Sequence, residues 1–108
     1  MLSGRLGRVG TTREYEFEST VWKVDDPGTW FFTTLPFDLS DEIEERHRDR
    51  AAGFGSLKVR VRVGATTWTT SLFPSKQAEA YVLPVKKAVR EAEQLHEGSP
   101  VRVAVEVL

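Results

Sequence analysis

The stretch Tyr81-Val82-Leu83-Pro84-Val85-Lys86-Lys87-Ala88-Val89-Arg90, carried on through Leu95 to Gly98-Ser99 and then Val101-Arg102-Val103-Ala104-Val105-Glu106-Val107, contains three kinds of local order in succession. Residues 81–83 form a short apolar run bounded by proline, which reads as a strand. Pro84 is placed to open a helix, in which Val85, Ala88, Val89, Ala92 and Leu95 fall on one face, and Glu97-Gly98 is placed to close it. From Val101 onward valine recurs at every second position, the period of a strand with one buried face.

The same succession occurs once before. Phe31-Phe32-Thr33-Thr34-Leu35-Pro36 leads into a helical segment, then Gly55-Ser56, then the alternating strand of Val59, Val61 and Val63. Set side by side on their Leu-Pro pairs, the copies share strand, Leu-Pro, helix, Gly-Ser and strand, an internal repeat of organisation rather than of residue identity. Neither copy has enough apolar surface to stand alone. Two of them, related by a pseudo-twofold, close a small barrel whose ends the two helices cap.

The remaining strands follow from the flanks. Tyr15, Phe17 and Val21 alternate with Glu14, Glu16, Glu18 and Thr20; the adjacent Val21 and Trp22 predict a bulge or bend there. Asp25-Asp26-Pro27-Gly28 has the residues of a type II turn, which would set Trp22 opposite Trp30. Residues 38–50 read as a surface helix with a thin apolar stripe, Leu39 and Ile43, with Asp38 in the capping region, acids in the first turns and bases in the last. Residues 57–71 are the clearest hairpin: Gly64-Ala65 makes a two-residue turn with glycine first, so Val61 opposes Trp68, Arg62 opposes Thr67, Arg60 opposes Thr69 and Lys58 opposes Ser71.

A chain of 108 residues is the length of one domain. The expected division is a flexible lead-in over residues 1–12 and one barrel domain over 13–108. With 40% hydrophobic and 29% charged residues, composition excludes a disordered tail. No apolar run approaches the roughly 20 residues of a membrane-crossing helix, and none near the start resembles a secretory signal, so a cytoplasmic protein without a membrane partner is expected. The absence of cysteine removes disulfides, thiolate metal sites and cysteine nucleophiles. His47 and His96 lack a second histidine at ligand spacing, so neither a metal site nor a cofactor is expected, and cation stabilisation at a helix C-terminus accounts for each. Ser71 has no nucleophile-elbow glycines around it.

Formal charge is −1, so any attraction for nucleic acid must be local. Residues 57–79 hold four bases against one acid, whereas residues 36–56 hold three against six. The ridge Lys58, Arg60 and Arg62, with Thr67, Thr69 and Ser71 beside it, has the charges and hydroxyls that grip phosphates. A solvated hairpin protected by charge against edge pairing has the same pattern. The start of the second helix breaks a local rule: Lys86, Lys87 and Arg90 crowd the end where the macrodipole disfavours cations. Together with backbone N–H groups after Pro84, and with Thr70, Ser71 and Lys76, they form a candidate anion pocket. Trp22, Trp30 and Trp68 alternate with polar neighbours, which suits barrel packing better than ring stacking on a ligand.

The motifs Trp30-Phe31-Phe32-Thr33-Thr34-Leu35-Pro36, Gly53-Phe54-Gly55, Trp68-Thr69-Thr70-Ser71-Leu72-Phe73-Pro74 and Tyr81-Val82-Leu83-Pro84-Val85-Lys86-Lys87-Ala88-Val89-Arg90 resemble a small prokaryotic domain of unknown function. In longer proteins that domain precedes a YdeI/OmpD-associated, bacteriocin-protection segment, which this sequence lacks. The resemblance covers residues 15–107 and implies a double-split β-barrel. Residues 83–105 are also similar to the swapped-hairpin unit of AbrB/MazE proteins, which dimerise to bind DNA, with Ser99 where aspartate is usual. Neither resemblance implies a catalytic residue.

The expected fold is therefore mainly β: a closed six-stranded double-split barrel with a pseudo-twofold repeat, capped by two helices. One chain contains both halves, so a monomer is expected. The functional expectation is a non-enzymatic binding or interaction module for a small anion or a protein partner, with the anion at the start of the second helix. An AbrB/MazE-like DNA-binding domain is the alternative, and an enzyme of unknown reaction the third.

Overall fold

The computed structural model describes residues 13–25 and 27–108. The lead-in expected over residues 1–12 lies outside them. Among the described residues six strands and two helices follow in order: β1 (Glu14–Val24), β2 (Trp30–Thr34), α1 (Phe37–His47), β3 (Leu57–Val63), β4 (Thr66–Ser75), β5 (Ala80–Pro84), α2 (Lys87–Glu93) and β6 (Pro100–Val107). Two short 3-10 turns, Arg48–Arg50 and Gly53–Gly55, link α1 to β3. All strand pairs are antiparallel and the sheet closes in the order β1-β2-β5-β4-β3-β6.

The expected pseudo-twofold is visible in this order, because exchanging β1 with β4, β2 with β5 and β3 with β6 leaves every pairing intact. The long strands β1 and β4 change partners midway. β1 lies beside β6 through Thr20 and beside β2 from Val21; β4 lies beside β3 through Leu72 and beside β5 from Phe73. That division gives the barrel its split character. Inside, Val59, Val61, Val103, Val105 and Val107 are almost fully buried, together with Leu35, Leu57, Leu72 and Leu83. Burying each such side chain is worth roughly 1.5–3 kcal/mol, which makes the valine alternation the main source of cohesion.

The 57–71 hairpin has the expected register at all four positions. Gly64 takes φ 59 and Ala65 is not left-handed, as a glycine-first turn requires. Elsewhere the structure corrects the reading. Where a bulge or bend is expected, β1 changes partners between Thr20 and Val21 without an inserted residue; alternation continues, with Val21 inside and Trp22 outside, stacked on Phe32 at 4.9 Å. Two adjacent apolar residues are explained by Val21 packing in the core while Trp22 stacks on its cross-strand neighbour Phe32 on the outer face. Trp22 pairs with Phe32 rather than with Trp30, which instead faces Val24 and is exposed. Trp68 points into the core opposite Val61.

The two Leu-Pro pairs are not structural equivalents. Pro36 is the N-cap of α1, but the N-cap of α2 is Lys86, and Pro84 is still within β5, opposite Phe32. Aligning the helix starts matches Leu35 with Val85 and Phe31 with Tyr81. The backbone bonds obey that exchange: Leu35 N donates to Tyr81 O at 3.0 Å and Val85 N to Phe31 O at 2.9 Å. The second helix is correspondingly shorter than its apolar spacing suggested. Gln94 ends it in a left-handed conformation, φ 56, four residues before Gly98, while Leu95 is still buried. In α1, Ser40, Ile43 and His47 are buried, so the inner face of this expected surface helix includes the histidine near its C-terminus. His47 Nε2 lies 2.9 Å from the Tyr15 hydroxyl, which ties α1 to β1.

Candidate functional site

The outward faces of β4, β3, β6 and β1 form one continuous surface, ordered by register. Arg60 on β3 lies between Thr69 on β4 and Glu106 on β6, and Glu106 in turn lies beside Glu14 on β1. In the next row Arg62 lies between Thr67 and Ala104, and Ala104 lies beside Glu16. Strand alternation sends every one of these side chains outward, since their neighbours Val61, Trp68, Val105 and Phe17 point into the core. One half of this surface is basic and hydroxylated, the other acidic.

Over the second row the surface sinks into an open concavity of about 400 Å³, lined by Arg60, Arg62, Thr67, Ala104, Glu106 and Glu16 among others. Its floor is low because Ala104 carries only a methyl group between two long charged neighbours. The flanking rows are closed by ion pairs: Arg60 Nη1 lies 2.6 Å from Glu106 Oε1, and Arg102 Nη2 lies 3.4 Å from Glu18 Oε2. Among the described residues neither Arg62 nor Glu16 has an ion pair or side-chain hydrogen bond. Arg62 thus presents a full set of donors to the concavity, with the exposed Thr67 hydroxyl beside it.

The residues expected to hold an anion at the second helix are dispersed. Arg90 turns back onto the barrel: its guanidinium carbon lies 3.8 Å from the Phe31 ring centroid and its Nε donates to Val85 O at 3.2 Å. The helix starts three residues after Pro84, so Arg90 stands in its last turn, where the macrodipole favours a cation, and the expected breach of that rule does not occur for this residue. Lys87 reaches Glu91 at 4.0 Å, and Lys86 is exposed at the cap. Val85 N, one of the backbone donors after Pro84, is already used by Phe31 O. Thr70 and Ser71 lie in β4 opposite Val59 and Lys58. Lys76 borders a second groove of about 290 Å³ between α1 and the β4–β5 turn, where Asp41, Glu44 and Glu79 surround it with acid.

Of the ridge residues, the structure gathers Arg60, Arg62 and Thr67 around one hollow, with Thr69 next to Arg60 and Lys58 further along β3. The contribution of Glu14, Glu16, Ala104 and Glu106 was not legible in the sequence. It depends on the pairing of β1 with β6, between opposite ends of the chain, and no local pattern encodes that register.

Closed antiparallel barrel, split long strands and internal pseudo-twofold define a small double-split barrel domain. A family model described as a domain of unknown function, DUF1905, matches residues 17–105, and the chain belongs to that family. No curated protein matches the chain. Among the described residues no helix is long and apolar enough to cross a membrane, and no group of three or more histidine, aspartate or glutamate side chains is placed to hold a metal ion.

Proposed function

We propose that this domain is a non-enzymatic binding module that takes a small ligand through an anionic group, held by Arg62 in the concavity over Ala104. The observation that carries this reading is the unpaired guanidinium of Arg62 in a sheet face whose adjacent charged rows are paired. A guanidinium without an internal partner offers a planar pair of donors to a carboxylate or phosphate, and Thr67 adds a hydroxyl. The hollow's size, about 400 Å³, falls in the range of small-molecule sites. Of its charged lining residues Glu14, Glu16, Arg60 and Arg62 are exposed, and Glu106 is half-buried. A water-washed setting suits recognition better than chemistry that depends on excluding water.

Duplex DNA fits this face less well, because Glu14, Glu16 and Glu18 lie on the same surface as the arginines and Arg60 is already neutralised by Glu106. The start of α2 offers only Lys86 and Lys87 after the engagement of Arg90.

The test is a thermal-shift and titration screen with inorganic phosphate, sugar phosphates, nucleotides, carboxylates and duplex DNA, on the unmodified protein, Arg62→Ala and the Lys86→Ala/Lys87→Ala pair. The expected result is a response to small anions that is lost in Arg62→Ala and kept in the lysine pair. A response kept in Arg62→Ala and lost in the lysine pair overturns the placement in favour of the helix start. Salt-dependent binding confined to duplex DNA replaces the reading with the AbrB-like one, and a flat screen leaves no anion site.

A further inference from the structure

We infer that the ligand of this concavity is a zwitterion with its ammonium and carboxylate at opposite ends, of the size of an ω-amino acid or a dipeptide; the inference rests on the anion-binding reading above. The register provides the argument. Three charged rows lie on the outer face of this sheet, two of them reaching from β3 across β6 to β1 and the third from β6 to β1. In one, Glu106 of β6 answers Arg60 of β3; in another, Arg102 of β6 answers Glu18 of β1. The row between them has Arg62 on β3 and Glu16 on β1, with Ala104 separating them. Two strand spacings put the backbones of β3 and β1 roughly 10 Å apart. Opposite charges therefore face each other across a hollow floored by a methyl group, and they do not meet.

A ligand that carries only an anion satisfies Arg62 and leaves Glu16 beside it, where the acid repels the ligand. The like charge lowers affinity for free phosphate and for simple carboxylates. A ligand whose cationic end lies several ångströms from its carboxylate completes the row, repeating with its own charges the pairing that the adjacent rows make internally. Glu14, next to Glu106 on β1, adds a second acid on the ammonium side. An α-amino acid has both charged groups on one carbon and spans the row less well than a molecule with charges at its ends.

The probes are 6-aminohexanoate and glycylglycine as zwitterions, hexanoate and hexylamine as its single-charge halves, and inorganic phosphate, each titrated into the full chain and followed through backbone amide shifts. Expected are shifts on β3, β6 and β1 with 6-aminohexanoate or glycylglycine, at an affinity at least about tenfold above that of hexanoate. Glu16→Gln is expected to bring the zwitterions down to the level of hexanoate. Ala104→Leu, an outward-facing change that fills the hollow, is expected to abolish binding while the amide spectrum stays dispersed. Equal binding of hexanoate or phosphate and the zwitterions, or an unchanged preference in Glu16→Gln, overturns the inference and leaves the anion reading standing. Loss of response to every probe, in a protein whose spectrum shows it folded, overturns both.

Discussion

The guanidinium carbon of Arg90 lies 3.8 Å from the centroid of the Phe31 ring, joining α2 of one half-barrel to β2 of the other. Nε of the same side chain donates to Val85 O at 3.2 Å, so stacking and hydrogen bonding act together. At the matching place in the other half, Ser40 of α1 accepts a hydrogen bond from Tyr81 N at 3.0 Å. Each helix is thus fastened to the opposite half's short strand by one polar side chain.

Arg90→Ala removes the stacking and the donor together and is expected to lower stability by about 1–2 kcal/mol. Arg90→Lys is expected to recover little of it, because an ammonium lacks the planar face and the Nε donor. Urea unfolding midpoints decide the matter; a midpoint for Arg90→Ala equal to that of the unmodified protein contradicts the structural role.

The fate of Arg90 shows where sequence reasoning stopped. Spacing alone suggested a cation in the N-terminal half of a helix, but α2 begins only at Lys87 and Arg90 stands in its last turn. What engages Arg90 is a ring nearly sixty positions earlier in the chain, brought close by the β2–β5 pairing. Local periodicity gave the six strands, the central hairpin register and the twofold plan, because alternation and turn chemistry act between neighbours. The Leu-Pro pairs misled because proline is tolerated both as the cap before α1 and within the short strand β5. His47 looked solvated because the acids and bases around it mark a surface helix; only the fit of α1 against Tyr15 shows that it is buried.

Alkaline pH is expected to weaken the fold through two tyrosines. Burial raises the Tyr81 phenol above its ordinary value of 10.0, and the Glu44 carboxylate adds to it. Burial also raises Tyr15, with Arg46 opposing and Glu42 reinforcing the shift. The unfolded chain then loses these protons first, so their contribution to stability is complete below about pH 10 and is lost as pH rises through the folded-state values. Thermal midpoints measured from pH 8 to 11.5 are expected to fall more steeply in the unmodified protein than in Tyr81→Phe. Parallel curves contradict the assignment.

Phe54 has φ 62 and is fully exposed, between Gly53 and Gly55. A left-handed backbone costs an L-residue roughly 1–2 kcal/mol, and no buried area offsets it here. Phe54→Gly removes that strain at some expense in unfolded-chain entropy, and Phe54→Asn keeps a side chain that tolerates the conformation. Both are expected to raise stability, by up to about 1 kcal/mol. A fall in the urea midpoint for both variants shows that the Phe54 ring contributes contacts that its full exposure does not suggest.

At the tip of the central hairpin the carboxylate of Glu93 occupies the space a side chain would need at Gly64, where an added Cβ would fall on its oxygen. Glu93 Oε2 also accepts a hydrogen bond from Thr66 Oγ1 at 2.6 Å, so α2 reaches over the turn and fixes β4 at its start. Gly64 is further constrained by φ 59. Gly64→Ala therefore carries two separable costs, a backbone one of about 1 kcal/mol and a steric one from Glu93. Glu93→Ala alone loses the hydrogen bond, at about 1 kcal/mol. In the double variant the steric cost disappears while the backbone cost persists. The combined loss is expected to be smaller than the sum of the single losses by at least ~0.5 kcal/mol, the threshold at which neighbouring sites count as coupled. Strict additivity in the unfolding free energies places Glu93 away from the turn and removes the contact between α2 and the hairpin.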